Sequence, residues 1–373
     1  MNDSRNLKSN FFYEKHYVSD TIHHPPSTIH HRGAGTRAVR DLIETRVMFT
    51  LADFRSAADI IARHMAPTPQ YAWPLLAADI GVETWVKHEN HTPTGAFKLR
   101  GGLVYMNRLK RDRPEVTGLV SATRGNHGQS LAFAARAAGL ACAIVVPHGN
   151  SAEKNAAMRA LGADVIEAGR DLEAAKAVAA DLAAARRFEM VPSYHPDLVL
   201  GVGTYGIELL SAVPDLDVVF CPIGMGSGIC GLVHAKAALG HRVEIVGVVS
   251  DKAPGYRLSL AAGRPIATDA PASTFADGMA VRAPSAEALA VMRAGVSRIV
   301  EVDDDRIADA ARRLFTATHN LAEGAGSAAL AALAAERDRW VGRKAAVILS
   351  GGNIDRAWYR TVLDGGTPRP AAA

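Results

Sequence analysis

Short apolar runs, separated by stretches with the period of a helix, recur along the chain from about residue 50 onward. Most of these runs are four to seven residues long and lack the polar alternation of a half-exposed strand. Such runs are typical of parallel strands that are covered on both faces. The predicted strands are Thr84–Lys87, Gly118–Ala122, Ala143–Val146, Asp164–Glu167, Val218–Pro222, Glu244–Val249, Arg298–Val302 and Ala345–Leu349.

Between the runs, apolar residues recur at the spacing of one helix face. A first helical period opens at Thr50–Asp53 and ends before Pro67. The later predicted helices are Gly128–Ala138, Ala152–Ala160, Leu172–Arg186, Thr204–Leu210, Gly228–Ala238, Arg306–Thr316 and Ala325–Ala335. Strands that alternate with helices predict an α/β fold with mainly parallel sheets flanked by helices.

The first 47 residues differ from the rest of the chain. They hold five of its 14 histidines, the pair Pro25 and Pro26, and little apolar periodicity. This composition predicts a poorly ordered N-terminal extension, residues 1–47, that belongs to no domain. The alternative is a metal-binding tail, because imidazoles are good ligands for divalent ions. The candidate ligands are His23, His24, His30 and His31.

Composition narrows the class of protein. Of the 373 residues, 48% are apolar and 21% are charged, which excludes a disordered chain, a collagen and a disulfide scaffold. The three cysteines favour a reducing compartment, so we expect a cytoplasmic protein. No apolar run is long enough to cross a bilayer, and the net charge of +4 is mild. We therefore expect neither a membrane nor a nucleic acid as partner.

Candidate chemistry lies in loops rich in glycine and polar groups, since ligands of parallel sheets bind near the carboxyl ends of the strands. The first such loop runs from Thr92 to Gly102 and carries Lys98 next to Phe97. A lysine kept from water has a lowered pKa, which favours Schiff-base chemistry. The competing interpretation is a solvated surface lysine, the usual state of this residue.

Three further segments end predicted strands. The second loop, Ser121–Gln129, opens a helix, so its free amides suit an anion. The third, Pro222–Gly231, is a glycine-rich turn that also opens a helix, so its free amides suit an anion. Ser227 adds a hydroxyl to this turn. That turn also fits a dinucleotide, although the next predicted strand lacks an acidic residue at its tip. The fourth segment, Ser350–Asn353, places Ser350 at the same crevice.

Together and in this order, the four segments resemble those of the fold type II pyridoxal-phosphate enzymes, the tryptophan-synthase-β-like group. The runs Pro-Thr-Gly-Ala-Phe-Lys-Leu-Arg-Gly, Gly-Asn-His-Gly and Ser-Gly-Gly-Asn are most similar to those of the threonine/serine dehydratases, or threonine ammonia-lyases. The resemblance covers about Thr50–Leu363 and implies pyridoxal 5′-phosphate as cofactor, a two-domain α/β fold and a homodimer. It implies a small domain at residues 115–193 and a large domain at residues 48–114 plus 194–373.

The resemblance also implies a role for each site residue. Lys98 would bind the cofactor as a Schiff base and later act as the α-proton base, while Ser350 would hydrogen-bond the pyridine nitrogen. Phe97 would pack beside the cofactor, and Asn126 would bind its 3′-oxygen. The residues implied for the phosphate are Gly224, Met225, Gly226, Ser227 and Gly228. The residues implied for the substrate carboxylate are Thr123, Arg124, Gly125, Asn126 and His127.

The chain departs from the family pattern at several positions. Ala96 replaces a common serine, and Arg124 replaces a small residue before Gly-Asn. Since Arg124 carries a planar cation, it is a candidate for binding an anionic substrate group, the alternative being a side chain that points away. Val249 and Gly255 replace the two carboxylates of metal-dependent members, so we expect no divalent metal there.

The predicted activity is removal of the β-hydroxyl and amino groups of a β-hydroxy amino acid, giving a 2-oxo acid and ammonia, with L-threonine and L-serine as default substrates. Alternatives are the same reaction on phenylserine, 3-hydroxyaspartate or a hydroxyectoine-derived amino acid, or β-replacement on the same fold. Racemisation is disfavoured because no serine stands next to Lys98 or Asn126. Outside this class, the alternatives are a nicotinamide-dependent oxidoreductase and a non-catalytic binding protein.

Overall fold

Two sheets organise the chain in the structure, a computed structural model that describes residues 49–370. Six strands form one sheet and four form the second. The strands are β1 Gln70–Ala72, β2 Glu83–His88, β3 Gly118–Ala122, β4 Ala141–Val146, β5 Asp164–Glu167, β6 Glu189–Met190, β7 Val218–Pro222, β8 Glu244–Ser250, β9 Arg298–Val302 and β10 Lys344–Leu349. Their orders are β1-β2-β10-β7-β8-β9 and β5-β4-β3-β6.

All neighbouring strands within these sheets are parallel except β1 and β2. Helices connect the parallel strands. They are α1 Leu51–Ala62, α2 Pro74–Ile80, α3 Lys98–Asp112, α4 Asn126–Ala138, α5 Ala152–Ala160, α6 Leu172–Arg186, α7 Pro196–Ala212, α8 Ser227–Leu239, α9 Gly255–Ala262, α10 Ala286–Gly295, α11 Asp304–Thr318, α12 Gly324–Ala335 and α13 Arg356–Leu363. This arrangement confirms the predicted α/β fold with mainly parallel sheets.

The inner strands are covered on both faces. Every residue of β3 and β7 is buried, and so is every residue of β4 and β10 except the first. Strands of this kind need apolar side chains on both sides, so they appear in the sequence as continuous apolar runs. For that reason β3 and β7 begin and end where the sequence predicts. The bounds of β5 and β9 also match the prediction, although these two strands are less buried.

The sequence pattern does not predict β1 and β6, which are three and two residues long. It also does not predict the 15-residue α3, because Gly101 and Gly102 interrupt the start of that helix. Packing explains both glycines: a Cβ at Gly101 would lie 2.8 Å from the carbonyl oxygen of Leu198, and one at Gly102 would lie 2.2 Å from the hydroxyl of Ser130. At these two glycines the backbone of α3 packs directly against α7 and α4.

The second sheet lies between residues 118 and 190, inside the predicted small domain of residues 115–193. The domain boundaries themselves stay a prediction. The predicted extension, residues 1–47, lies outside the described residues. Within residues 49–370, no helix combines the length and the apolar character that crossing a membrane would need.

A buried group of charges joins β2, α3 and α7. Arg100 on α3 donates from Nε to Glu89 Oε2 at 2.8 Å and from Nη1 to Glu208 Oε1 at 2.7 Å. Lys87 on β2 donates from Nζ to Glu208 Oε2 at 2.6 Å. The side chains of Arg100, Glu89 and Lys87 are fully buried. Because an unpaired buried charge is costly, this group holds the first turns of α3 against its neighbours.

Replacing Arg100 tests this constraint. We expect Arg100→Met to lower the free energy of unfolding by about 3–5 kcal/mol, because it leaves the buried Glu89 carboxylate without its cation and removes one of the two cations that pair with Glu208. Urea unfolding followed by fluorescence measures the change. The control is Arg111→Met, whose exposed pair with Asp112 contributes only about 0–1 kcal/mol. Equal unfolding midpoints for the two variants would contradict the prediction.

Candidate active site

A cleft opens at the carboxyl ends of β3, β7 and β10, beside the start of α3. It contains about 1000 Å³ of space, part of it open to solvent. All the site residues predicted from the sequence line this cleft. They are Phe97, Lys98, Thr123, Arg124, Gly125, Asn126, His127, Gly224, Met225, Gly226, Ser227, Gly228 and Ser350. Four segments that are far apart in the sequence therefore meet at one place.

Lys98 is the first residue of α3, and its side chain points across the cleft toward the start of α8. Its Nζ donates a hydrogen bond to Ser227 Oγ at 2.8 Å. The same nitrogen lies 5.1 Å from the centroid of the Phe97 ring. Burial lowers the pKa of Lys98 from its ordinary value to about 8. Lys98 therefore has more of the neutral, nucleophilic amine at neutral pH than a surface lysine has.

The turn before Lys98 is held to the end of β10. The Thr92 hydroxyl accepts a hydrogen bond from the amide of Ala96 at 2.9 Å and donates one to the Ala96 carbonyl at 2.8 Å. The amide of Phe97 donates to the Ser350 carbonyl at 3.0 Å. Gly351 has no room for a side chain, since a Cβ there would lie 3.0 Å from Ala96 Cβ. The lysine and Ser350 are thus placed by one set of backbone contacts.

The glycine-rich turn between β7 and α8 offers backbone amides to the cleft. Gly226, with φ of +103°, caps α8 without any side-chain hydrogen bond. Such a helix start carries amides that lack intrahelical partners and attracts anions. Gly224 permits the turn to approach Gly278, whose carbonyl oxygen would lie 2.3 Å from a Cβ at position 224. A Cβ at Gly228 would face the Phe97 ring at 3.5 Å and narrow the cleft.

Asn126 is fixed by two partners that the sequence motifs did not connect to it. Its Nδ2 donates to Glu323 Oε1 at 2.8 Å, and its Oδ1 accepts from Asn353 Nδ2 at 2.8 Å. Burial raises the pKa of Glu323 to about 7, although Lys154 opposes the shift. Glu323 is a site residue that sequence reasoning missed. Its only local signal is an acid placed directly before the apolar helix α12.

Lys154 and Asp277 also line the cleft and were not predicted. They form an ion pair, and the Lys154 side chain is 8% exposed. Burial alone would lower the pKa of Lys154, but the Asp277 and Glu323 carboxyls outweigh it and the pKa is raised. The stem of Lys154 packs on Gly125, where a Cβ would lie 2.7 Å from Lys154 Cδ. Lys154 thus keeps its charge and leaves room only for glycine at position 125.

His127 is buried at the start of α4. Burial, with a smaller contribution from Lys98, lowers its pKa to about 3. Its Nε2 is buried and has no hydrogen-bond partner among the described residues. His127 is therefore a neutral group at neutral pH and adds no positive charge to the cleft.

A mainly parallel α/β fold with a cleft lysine of lowered pKa beside a glycine-rich, uncapped helix start is typical of one class of enzyme. In this class the lysine binds a phosphorylated aldehyde cofactor. The chain belongs to the family described as pyridoxal-phosphate dependent enzymes, whose model matches residues 61–351. This assignment favours a phosphate over the dinucleotide alternative at the glycine-rich turn.

Curated relatives and solved structures agree with the family. The chain is 35% identical over 288 residues to an L-threonine ammonia-lyase from Geobacter sulfurreducens, covering 77% of this chain and 71% of that protein. It is 30% identical over 317 residues to an L-threo-3-hydroxyaspartate ammonia-lyase from Saccharomyces cerevisiae, covering 85% and 97%. It superposes on the processed form of threonine deaminase isoform 2 from Solanum lycopersicum with a TM-score of 0.77 and 27% identity, covering 84% and 93%.

The residues of the cleft fit pyridoxal phosphate. The Lys98 amine suits its aldehyde, and the amides at the start of α8 suit its phosphate. The space that Gly228 leaves beside the Phe97 ring suits a flat aromatic ring. Ser350, which is 4% exposed and lines the cleft, supplies a hydroxyl that can hydrogen-bond a ring nitrogen. The role of each residue stays a prediction.

The structure shows where the two residues lie that replace the carboxylates of metal-dependent family members. Val249 is a buried residue of β8, and Gly255 begins α9. Neither side chain offers an oxygen ligand of the kind that a hard cation needs. The expectation stays a prediction.

Magnesium dependence tests that expectation. We expect Mg²⁺ to change the enzyme's rate less than about twofold relative to protein treated with a chelator, because the two carboxylate ligands are replaced. The measurement is a titration of activity against magnesium, with potassium chloride held constant as the ionic-strength control. A large activation by magnesium would refute it.

The pKa of Lys98 can be measured directly by competitive labelling with acetic anhydride. In cofactor-free protein we expect half-maximal labelling of Lys98 near pH 8, because burial disfavours its charged form, so labelling rises as pH increases through that value. Mass spectrometry of the Lys98 peptide gives the labelled fraction, with the surface amine of Lys252 as reference. A midpoint at the ordinary lysine value would contradict the lowered pKa.

Proposed function

We propose that this protein is a pyridoxal-phosphate-dependent ammonia-lyase that converts a β-hydroxy amino acid into a 2-oxo acid and ammonia. The observation that carries the proposal is the Lys98 amine, of lowered pKa, hydrogen-bonded to Ser227 at the anion-binding start of α8. The ammonia-lyases among the relatives support it. Bound pyridoxal phosphate supplies the electron sink that makes the α-hydrogen of an amino acid acidic.

The chain's own residues supply the proton transfers and the positioning. Lys98 Nζ is the base for the α-proton, since its neutral amine is accessible from the cleft. The start of α4, which has no side-chain cap at Gly125, is an amide-rich site for the substrate carboxylate. Asn126 is held in one orientation by Glu323 and Asn353, ready to bind the cofactor's ring oxygen.

Ser350 tunes the reaction toward elimination. A neutral hydroxyl hydrogen-bonds a ring nitrogen without holding it protonated as a carboxylate would. A ring that is not held protonated withdraws electrons from the substrate only moderately. This favours immediate departure of the β-hydroxyl over return of the α-proton. This argues for elimination rather than racemisation.

The proposed reaction is balanced without an oxidant or reductant. The substrate loses its α-hydrogen and its β-hydroxyl together as water, which leaves an enamine after release from the enzyme. The enamine takes up a proton at the β-carbon and becomes an imine. Water then adds to the imine carbon, and ammonia leaves to give the 2-oxo acid.

We also infer a homodimer in a reducing compartment. The three cysteines are buried and unpaired, as expected where disulfides do not form. Exposed apolar side chains such as Tyr71 and Leu75, 52% and 65% exposed, are available for a subunit contact. Light scattering would give the oligomeric state directly.

Product analysis tests the proposed reaction. We expect the purified protein with pyridoxal phosphate to release 2-oxo acid and ammonia in equal amounts from at least one substrate in a panel of threonine, serine, phenylserine and 3-hydroxyaspartate. Lys98→Ala should lower the rate by at least about 1000-fold, because it removes both the attachment point and the proton base. Borohydride should attach the cofactor to the Lys98 peptide in the wild type only.

Each alternative gives a different product in the same assay. A new amino acid formed with an added thiol would indicate β-replacement, and a D-amino acid would indicate racemisation. Full activity in Lys98→Ala would refute the assigned role of the lysine. As control, Lys252→Ala alters a surface amine outside the cleft and should leave the rate unchanged.

A further inference from the structure

More positive than negative side chains line the cleft. The cations are Lys98, Arg124, Lys154 and Lys176, and the carboxyls are Asp277 and Glu323. The backbone amides at the starts of α4 and α8 add further partial positive charge. The partner of each cation determines which anion it can still bind.

Three of the four cations already have partners. Lys154 pairs with Asp277. Lys176 pairs with Glu173 at 2.7 Å on the same helix, α6. Lys98 is bonded to Ser227 and is the residue predicted to hold the cofactor. Each of these three side chains therefore already has an acceptor for at least one of its N–H donors.

Arg124 differs from the other three cations. Its guanidinium makes no hydrogen bond and no ion pair with any residue between 49 and 370. Its side chain is exposed. It lines both the cleft and an adjoining groove formed with the loop after β4. The guanidinium therefore lies at the boundary of the reaction space with all five of its N–H donors free of side-chain acceptors.

The resemblance places Arg124 among the residues for the substrate's α-carboxylate, but that carboxylate has a site that does not require the Arg124 side chain. Amides at the start of α4 offer it a site that every amino acid can use, whatever its side chain. Arg124 comes two residues before Asn126, the first residue of that helix, so it stands beside this site. A second acidic group on the same substrate would need a partner of its own, and Arg124 is a cleft cation with no side-chain acceptor among residues 49–370.

We propose that Arg124 binds an anionic group on the substrate's side chain and makes the enzyme selective for β-hydroxy amino acids that carry a second acid. The inference rests on the proposed ammonia-lyase function. The planar guanidinium matches a carboxylate through two parallel hydrogen bonds, whereas the methyl group of threonine offers it no acceptor. A monocarboxylic substrate leaves the cation without a partner.

Kinetics with two substrates test the selectivity. We expect wild-type kcat/KM to be higher for L-threo-3-hydroxyaspartate than for L-threonine. Arg124→Gln should lower the ratio of these two kcat/KM values by on the order of 10- to 100-fold, the range for one charge-assisted pair. Arg124→Lys keeps the charge without the planar fork and should recover part of the ratio.

A control variant isolates the effect of losing a cation. Lys176→Gln removes a positive charge from the same cleft, but one that Glu173 already pairs. We expect it to change the ratio less than about threefold, as screened surface charges do. A fall of the ratio in Lys176→Gln as large as that in Arg124→Gln would overturn the specific role of Arg124.

Equilibrium binding gives a second readout that does not depend on turnover. Succinate has two carboxylates and no amino group, so the holoenzyme cannot convert it, and propionate is its monocarboxylic control. Calorimetry should show that Arg124→Gln weakens succinate binding on the order of tenfold or more and affects propionate less. Equal weakening of both acids would overturn the proposal.

Failure of this inference is distinguishable from failure of the proposed function. If the wild type releases 2-oxo acid from threonine while Arg124→Gln lowers both substrates equally, the side-chain role is refuted and the lyase stands. If no substrate releases 2-oxo acid yet succinate binding depends on Arg124, the lyase fails and the dicarboxylate site stands.

Discussion

The paired burial of the Arg100 guanidinium is the constraint on which the site depends. Its two carboxylate partners come from the turn after β2 and from α7, so α3 has one position in which no buried charge is left alone. Lys98 stands two residues earlier in the same helix and shares that position. The close approach at Gly101 and Gly102 reinforces it, because α3 cannot move without losing backbone contact with α7 and α4.

Burial also determines which groups of the cleft carry charge. Lys98, His127 and Glu323 are each shifted toward their neutral forms, because the charged form loses its water. Lys154 keeps its charge because Asp277 accompanies it. The interior of the cleft is thus suited to proton transfer, while the positive charge that no carboxylate pairs among the described residues lies at helix starts and at the exposed Arg124, the predicted anion sites.

Much of this could be predicted from the sequence. The segments after β2, β7 and β10 meet because the carboxyl ends of parallel strands share one edge of a sheet, which a strand pattern reveals. The segment after β3 comes from the second sheet and joins them at the cleft. The same reasoning could not find Glu323 or the pair of Lys154 and Asp277, whose members are 123 positions apart. Their roles arise from packing between distant segments, and no local pattern records which buried charge another charge will meet. Likewise α3 is stabilised by tertiary contacts at Gly101 and Gly102, whereas in the sequence these two glycines argue against a helix.

The contact between Ala96 and Gly351 limits how such an enzyme can diverge. A larger residue at either position would collide with the other one. A Cβ at Gly351 would also lie 2.8 Å from Glu323 Oε1. Substitutions on this side of the cleft must come in compatible combinations or not at all. Arg124, with an exposed side chain, has no such neighbour to satisfy. With the role proposed for Arg124, new substrate preferences can evolve by single changes at the exposed edge of the cleft, while the side that holds Lys98 stays as it is.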